Sequence, residues 1–174
     1  MNAAWKVRRA AGLDERLIDG LADVLIDCVE GGASVSFMHP LTVARARAFW
    51  ARVARDVAAG ARAVLVAEDA GGVCGTVQLV LAQPENQPHR ADLAKLLVHR
   101  RARQRGIGEA LTRAAEHEAR ACGRTLLVLD TASDAAARVY QRCGWVRVGV
   151  IPGYALLPRG GACDTTLYYR QLGG

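Results

Sequence analysis

Apolar residues in the first third of the chain recur at the spacing of an amphipathic helix. The positions that form the first stripe are Leu17, Ile18, Leu21, Val24, Leu25 and Cys28. Because side chains three and four residues apart share one face of a helix, this stripe predicts a helix from Leu13 to Gly31. A second stripe predicts another helix between the capping residue Thr42 and Gly60.

The rest of the chain consists of short apolar runs, turns and two more helical patterns. The runs predict strands over residues 5–10, 63–68, 73–81, 91–98, 125–130, 145–151 and 165–170. One further helix is predicted to end near Cys122, and another to begin after Ser133 and end at Gly144. The order β-α-α-β-β-β-α-β-α-β-β predicts an α/β fold with helices on both faces of a mixed sheet. We expect one domain over residues 1–174.

The most informative segment, residues 93–111, joins a strand to a helix through a basic turn that contains glycine. Backbone N–H groups at the start of a helix have no partner and carry the positive end of the helix dipole, so they attract an anion. Gly106 and Gly108 leave that backbone open, while Arg103 and Arg105 add cationic groups. The segment therefore predicts a site for a ligand that carries phosphate.

Two common phosphate-binding motifs do not fit this turn. The dinucleotide-binding fingerprint needs a third glycine where Leu111 stands, and the P-loop needs a Gly-Lys pair followed by Ser or Thr. What remains is Arg-x-x-Gly-x-Gly, from Arg103 to Gly108. It resembles the acetyl-CoA pyrophosphate loop of the GNAT superfamily of N-acetyltransferases.

Two other segments strengthen this resemblance. Residues 91–98 are similar to the central strand of the family, which splays from its neighbour at a bulge. Residues 134–145 are similar to a family helix in which a tyrosine, here Tyr140, is followed four residues later by Gly and an aromatic residue. The resemblance implies a single-domain GNAT fold whose mixed, mostly antiparallel sheet has a V-shaped splay.

The resemblance also implies an enzyme that moves an acetyl group from acetyl-CoA directly to the amine of a small, amino-acid-like acceptor. The implied cofactor-binding residues are Leu96, Leu97, Val98, Arg103, Gln104, Arg105, Gly106, Ile107 and Gly108. Three segments (31–38, 129–131 and 152–154) resemble members of the family that acetylate an amino-acid toxin, which suggests a resistance function. A protein N-terminal or lysine acetyltransferase and a non-catalytic acyl-CoA-binding regulatory module are the alternatives.

Amide formation requires groups that move protons, because an amine attacks a thioester only as the free base. Asp92 and Asp130 lie at the ends of adjacent predicted strands and are candidates for the base, directly or through water, or for binding the substrate ammonium. Alternatively, Asp130 caps a turn and Asp92 is solvated. Tyr140 is the candidate acid for the leaving sulfur, or an aromatic residue that anchors its helix. Phe37 either lines the acceptor side or acts as a hydrophobic plug.

Composition narrows the range of partners. The net charge is +6, but aromatic residues are few and no basic-aromatic stacking surface is evident, so nucleic acid is not an expected partner. Five widely spaced cysteines without a Cys-x-x-Cys pair predict neither disulfides nor zinc, and the histidines have no metal-ligand spacing.

The sequence also sets expectations for the location and assembly of the protein. Charges interrupt every apolar run before membrane-spanning length, and the first residues contain no signal-peptide apolar block. We therefore expect a cytoplasmic protein with no membrane partner. A homodimer is left open.

Overall fold

One seven-stranded sheet with helices on both faces forms the framework of the protein. A computed structural model describes residues 4–173. The strands are β1 (Lys6–Arg9), β2 (Arg62–Asp69), β3 (Gly72–Val80), β4 (Arg90–Val98), β5 (Leu126–Thr131), β6 (Val146–Leu156) and β7 (Ala162–Gln171). The helices are α1 (Glu15–Glu30), α2 (Val43–Ala58), α3 (Ile107–Ala121) and α4 (Asp134–Arg142), with a single 3-10 turn at Arg100–Ala102. The predicted order of elements is confirmed.

Local capping interactions explain where the helices begin. The side chain of Thr42 accepts a hydrogen bond from the Arg45 N–H, and that of Ser133 accepts one from the Ala136 N–H, so both predicted caps are confirmed. Helix α1 begins at Glu15, two residues after the predicted start, because Asp14 is its cap.

The strand order is β1-β2-β3-β4-β5-β7-β6, and every neighbouring pair is antiparallel except β4 with β5.

One core lies between the sheet and helices α1 and α2, with Trp50 fully buried in it. A second core lies on the opposite face, where α3 and α4 pack. Strands β6 and β7 form a longer hairpin than the sequence predicts, because their pairing resumes beyond an irregularity between Ile151 and Ala155.

Strands β4 and β5 pair only over three residues of β4, from Arg90 to Asp92, and then part. Beyond Asp92, β4 continues beside β3, while β5 continues beside β7. The expected V-shaped splay is therefore confirmed.

A bulge in β4 follows the point where the strands part. Two residues of β4, Lys95 and Leu96, stand opposite the single residue Val77 of β3, and Lys95 has a φ of 53°. Because the extra residue reverses the alternation of the strand, Leu93 lies in the core beneath α3 whereas Leu97 lies in the core beneath α1. The bulge thereby turns the second half of β4 relative to the first.

Candidate active site

A cavity of about 1110 Å³ lies where β4 and β5 part. One side, which we call the cofactor side, is formed by the end of β4, the turn before α3 and the neighbouring face of α4. The other side, which we call the acceptor side, is formed by residues 31–38, Lys95, Asp130 and residues of β6 and β7.

The start of α3 presents open backbone to the cofactor side. Gly106 occupies the cap position with a φ of 78°, and no side chain bonds to the first N–H groups of the helix. A Cβ atom at Gly106 would stand in open space, with no heavy atom within 4 Å. The turn therefore has the features that an anionic group needs: unpartnered N–H donors, the positive end of the dipole and room to approach.

Of the predicted cofactor-binding residues, all except Arg105 line the cavity. Arg103 lines it and donates from Nε to the carbonyl oxygen of Val98 at 3.2 Å. The part of Arg105 in cofactor binding stays a prediction, but Arg105 does not line the cavity and donates instead to Asp69 at 2.9 Å. The physical reason is a buried carboxylate at the end of β2 that requires cationic partners.

Asp69 connects the end of β2 to the basic turn. Its side chain is 5% exposed and accepts hydrogen bonds from Arg105, from Arg101 and from the Gly71 N–H, each at 2.9 Å. Burial alone would raise the pKa of Asp69, but the two arginines outweigh burial and lower the pKa to about 2. The carboxylate is therefore ionised throughout the neutral range and fixes both arginines.

Asp27 on α1 fixes the same turn from the other direction. Its carboxylate accepts from the backbone N–H and from Nε of Arg100, both at 2.8 Å, and His99 lies 3.5 Å away. Burial tends to raise the pKa of Asp27, but the bonds from Arg100 outweigh burial and keep the pKa below its ordinary value. The four arginines between residues 100 and 105 form one arginine cluster, and of these only Arg103 lines the cavity.

Asp130 stands on the acceptor side, near the end of β5. Its Oδ2 accepts a hydrogen bond from the hydroxyl of Thr165 at 2.7 Å, and both residues line the cavity. The carboxylate is thus oriented by a buried neighbour on β7 while remaining open to the cavity. This orientation suits a group that binds or deprotonates an ammonium ion.

Asp92, the other candidate for the base, does not line the cavity. Its carboxylate is held by Arg90 at 2.7 Å and by Gln83 at 3.2 Å. The reason is the direction of the strands: β4 and β5 are parallel, and Asp92 lies near the start of β4 whereas Asp130 lies near the end of β5.

Tyr140 on α4 is 4% exposed and lines the cavity. Its ring packs against Trp145 and Tyr168, with centroid distances of 5.6 and 5.9 Å, so the predicted anchoring of the helix is also present. Its hydroxyl makes no hydrogen bond to any residue in the range 4–173. Burial raises the pKa of Tyr140, and Asp130 and Cys143 add to the effect, so the phenol is protonated at neutral pH.

Phe37 lines the acceptor side and at the same time packs edge-to-face on Phe49, with a centroid distance of 5.3 Å. The two roles considered for this residue therefore do not exclude each other. A packed ring at the cavity wall gives a rigid apolar surface.

Sequence reasoning missed Lys95 and Ser36. The Lys95 ammonium donates to the Ser36 hydroxyl at 3.0 Å, and both residues line the acceptor side. Burial lowers the pKa of Lys95; Arg62 lowers it further, and Asp130 opposes the shift. The signal in the sequence that could have pointed to Lys95 is the rarity of lysine, because Lys95 is one of only two lysines in the chain.

Backbone strain concentrates in this cavity. The non-glycine residues with positive φ in the described part of the chain are Ser36, Lys95 and Gln104, and all three line it. Such conformations persist where the surrounding structure enforces them, and they are typical of functional sites.

Other kinds of site find no support within residues 4–173. No group of three His, Cys, Asp or Glu side chains there is arranged to hold a metal ion. None of the helices in that range is long and apolar enough to cross a membrane.

Comparison with known proteins identifies the family. The model of the acetyltransferase (GNAT) domain matches residues 60–147, just over half of the chain. The chain therefore belongs to the GNAT family of acetyltransferases. This confirms the predicted fold and enzyme class.

Solved structures with under 25% sequence identity show the same fold. An N-acetyltransferase from Staphylococcus aureus Mu50 is 18% identical, with a TM-score of 0.81 and coverage of 98% of this chain and 100% of that one. The yncA protein from Salmonella typhimurium, solved with its cofactor acetyl-CoA, is 21% identical, with a TM-score of 0.79 and coverage of 98% and 95%. The ribosomal-protein-alanine N-acetyltransferase from Brucella melitensis is 23% identical, with a TM-score of 0.77 and coverage of 95% and 99%.

The ion pairs of Asp69 predict a pH-dependent effect on stability. A carboxyl group with a pKa of about 2 when folded and near its ordinary value of 3.8 when unfolded stabilises the fold above pH 3.8, and this contribution is lost as the pH falls from 3.8 toward 2. We expect Asp69→Asn to lower the free energy of unfolding by roughly 1.5–3 kcal/mol at pH 5. Urea denaturation of both proteins at several pH values measures the difference.

Glu68→Gln is the matched control, because Glu68 is the adjacent carboxylate and its pair with Arg8 is more exposed. We expect a smaller loss of stability in this variant. A difference between wild type and Asp69→Asn that is equally large at pH 5 and pH 2 would contradict the assignment.

Proposed function

We propose that the protein transfers the acetyl group of acetyl-CoA directly to the amine of a small, amino-acid-like acceptor. One observation carries the proposal: the open start of α3, the carboxylate of Asp130 and the unbonded hydroxyl of Tyr140 border one cavity. We treat residues 1–174 as one acetyltransferase domain. In this proposal acetyl-CoA supplies the acetyl group as a thioester when it is bound.

The fit of the cofactor rests on the turn and on the edge of β4. The first N–H groups of α3 and the side chain of Arg103 would hold the pyrophosphate, with Gly106 leaving room for it. The edge of β4 at Leu96–Val98 has no neighbouring strand beyond the splay, so it is available to an extended arm that pairs as an added strand would. An N–H group of this edge, near Val98, would stabilise the thioester oxygen.

Two residues of this chain would move protons. Asp130 accepts the proton of the acceptor ammonium, directly or through water, so that the amine attacks as the free base. Tyr140 donates its hydroxyl proton to the sulfur that leaves, and the phenolate takes up the second proton that the nitrogen loses as the amide forms. Asp92 enters the proposal only as a residue that holds Arg90 and Gln83.

Hydrogen bonds between the segments around the acceptor side favour a small acceptor. Residues 31–38 are tied to the β6–β7 hairpin, because the Ser34 hydroxyl donates to the Leu156 carbonyl and the His39 N–H donates to the Pro158 carbonyl. Arg159 adds a bond to the carbonyl of Glu30 at 2.9 Å. These links join two of the segments that form the acceptor side, which supports a small acceptor over an extended peptide.

The amino-acid character of the acceptor is supported by a resemblance in sequence. Residues 31–38, 129–131 and 152–154 resemble the tabtoxin resistance protein, which acetylates a β-lactam-containing amino-acid toxin. All three segments contribute residues to the acceptor side. A role in resistance to such a compound follows as part of the proposal.

The alternatives are acetylation of a protein and a binding module without turnover. The Brucella melitensis neighbour is a ribosomal-protein-alanine N-acetyltransferase, so the fold itself is compatible with a protein acceptor. Mass spectrometry of amino acids, simple amines and peptides incubated with the enzyme and acetyl-CoA separates the three functions. Acetylation of peptides alone, or of nothing while acetyl-CoA binds, would overturn the proposal.

We include a homodimer in the proposal. Strand β6 lies at the edge of the sheet and exposes Val146, Val148 and Val150. An exposed edge with free backbone groups and apolar side chains favours pairing with another strand, and the same edge of a second copy offers matching groups.

We also place the protein in the cytoplasm. Its five cysteines are free, and three of them are buried, as expected where thiols stay reduced.

Two substitutions in the turn before α3 test separately whether binding of coenzyme A needs the open space at Gly106 and the positive charge of Arg103. Gly106→Val should abolish binding of coenzyme A, because the side chain would occupy the open space above the helix start. Arg103→Ala should weaken binding of coenzyme A by about 10- to 100-fold, which is the loss of affinity expected when one charge-assisted hydrogen bond is removed. Calorimetric titration measures both.

Gly160→Val controls for backbone strain, because Gly160 has a φ of 98° and lies in the turn between β6 and β7, away from the cavity. We expect this control to bind coenzyme A like the wild type. Unchanged affinity in both Gly106→Val and Arg103→Ala would remove this turn as the cofactor site.

Asp130 and Asp92 are expected to differ, because only Asp130 lines the cavity. Asp130→Asn keeps the shape of the side chain but loses its basicity, so kcat should fall by roughly 100-fold or more with little change in affinity for coenzyme A. Asp92→Asn serves as the matched substitution and should retain most of the activity. Steady-state kinetics with equal rates in Asp130→Asn and wild type would refute the assignment of the base.

Tyr140→Phe deletes only the hydroxyl and keeps the ring that packs on Trp145 and Tyr168. If the hydroxyl protonates the leaving sulfur, single-turnover acetyl transfer should slow by roughly 100-fold, and less for a donor whose thiol has a lower pKa. Tyr168→Phe, a second buried tyrosine outside the cavity lining, is the control and should react normally. A wild-type rate for Tyr140→Phe would leave the ring with a packing role only.

A further inference from the structure

The acceptor side of the cavity contains one cationic side chain. Among the described residues that line the cavity, the basic ones are Lys95, Arg103, Arg138 and Arg142. Arg103 belongs to the turn before α3, while Arg138 and Arg142 lie on α4, where Arg142 pairs with Glu109 of α3. These three arginines stand on the cofactor side. Lys95 alone brings positive charge to the side that faces residues 31–38.

The ammonium of Lys95 is fixed in place. The bulge of β4 sets the direction of its side chain, and the Ser36 hydroxyl accepts a hydrogen bond from Nζ at 3.0 Å. The segment that carries Ser36 is itself attached to the hairpin through the bond from Ser34 to Leu156. A positioned cation costs less conformational entropy on binding a ligand than a mobile surface lysine does.

Lys95 lacks an ionic partner within the part of the chain that the structure describes. No carboxylate oxygen of residues 4–173 lies within 4 Å of its Nζ, although Asp130 is close enough to favour the charged form. Burial lowers the pKa of Lys95, which means that the ammonium is partly desolvated and would gain from an anionic partner. The cavity thus holds a cation and an anion that face the same space without neutralising each other directly.

We propose that Lys95, together with the Ser36 hydroxyl, binds the carboxylate of an α-amino-acid acceptor whose ammonium group lies at Asp130. This inference rests on the proposed function, since it concerns the acceptor of the same reaction. The zwitterion of an amino acid matches the two opposite charges, with its carboxylate at Lys95 and its reacting nitrogen at Asp130. Lys95 therefore acts as a specificity-determining residue.

A different role for the same lysine is that of the base, because burial favours its neutral form. The two roles differ in what they require of the acceptor. A base acts on the ammonium of any acceptor, whereas an anchor for the carboxylate acts only on acceptors that possess one. Comparison of amino acids with their primary amides therefore separates the roles.

The experiment measures kcat/KM for the protein amino acids and for the corresponding amides. We expect the wild-type enzyme to prefer the acids. Lys95→Met, which keeps an unbranched stem without the charge, should lower kcat/KM for acids by roughly 10- to 100-fold, the value of a charge-assisted hydrogen bond, and change it little for amides. Lys95→Arg should retain the preference. Lys6→Met removes the other lysine of the chain, which is exposed on β1, and should change neither value.

The outcomes distinguish this inference from the proposed function. If the wild type acetylates none of these amines while it binds coenzyme A, the proposed function fails and the inference with it. If it acetylates amines without preferring acids, or if Lys95→Met loses equal activity on acids and amides, the inference alone is overturned. If thermal denaturation shows that Lys95→Met is unfolded, Ser36→Ala replaces it. A loss of kcat/KM that is smaller and confined to acids would support the inference. An equal loss of kcat/KM on acids and amides would contradict it.

Discussion

The parting of β4 from β5 is the constraint on which the site depends. Parallel pairing of the two strands ends at Asp92, after which the backbone groups on that edge of β4 have no strand partner. Because burying unpaired backbone groups is costly, such an edge persists only where it faces solvent or a ligand that pairs with it. The cavity lies at this opening, and the bulge at Lys95 turns the edge toward it. The fold thus provides a binding edge by leaving a sheet incomplete.

The turn before α3 depends on carboxylates that are distant in sequence. Asp27 and Asp69 each hold part of the arginine cluster, and Arg103 remains directed to the cavity. The arginines of this cluster therefore have two roles, one in fixing the turn and one at the cavity. Ion pairs to the buried carboxylates fix the backbone, and the fixed backbone presents its N–H groups to an anion. A rigid turn of this kind loses little entropy when a phosphate binds.

Features that depend on neighbouring residues could be predicted from the sequence, whereas features that depend on strand register could not. Thr42 and Ser133 cap helices through bonds that span three residues, so their roles follow from local pattern. Asp92 and Asp130 look equivalent in the sequence because both lie at strand ends, but the parallel direction of β4 and β5 separates those ends, and only Asp130 lines the cavity. Lys95 could not be predicted as a site residue, because the bulge opposite Val77 sets the direction of its side chain and no local sequence pattern predicts a bulge.

The residues at the positive-φ positions that line the cavity are not glycine, and this supports a functional role for their side chains. Each non-glycine residue with positive φ costs of order 1–3 kcal/mol, and glycine would relieve it. Within residues 4–173, glycine occupies ten other positive-φ positions, so this solution is used elsewhere in the fold. At Ser36 and Lys95 it keeps side chains that bond to each other within the cavity. The strain is consistent with a requirement for an ammonium and a hydroxyl at those two places, where both could bond to an anionic group of a ligand.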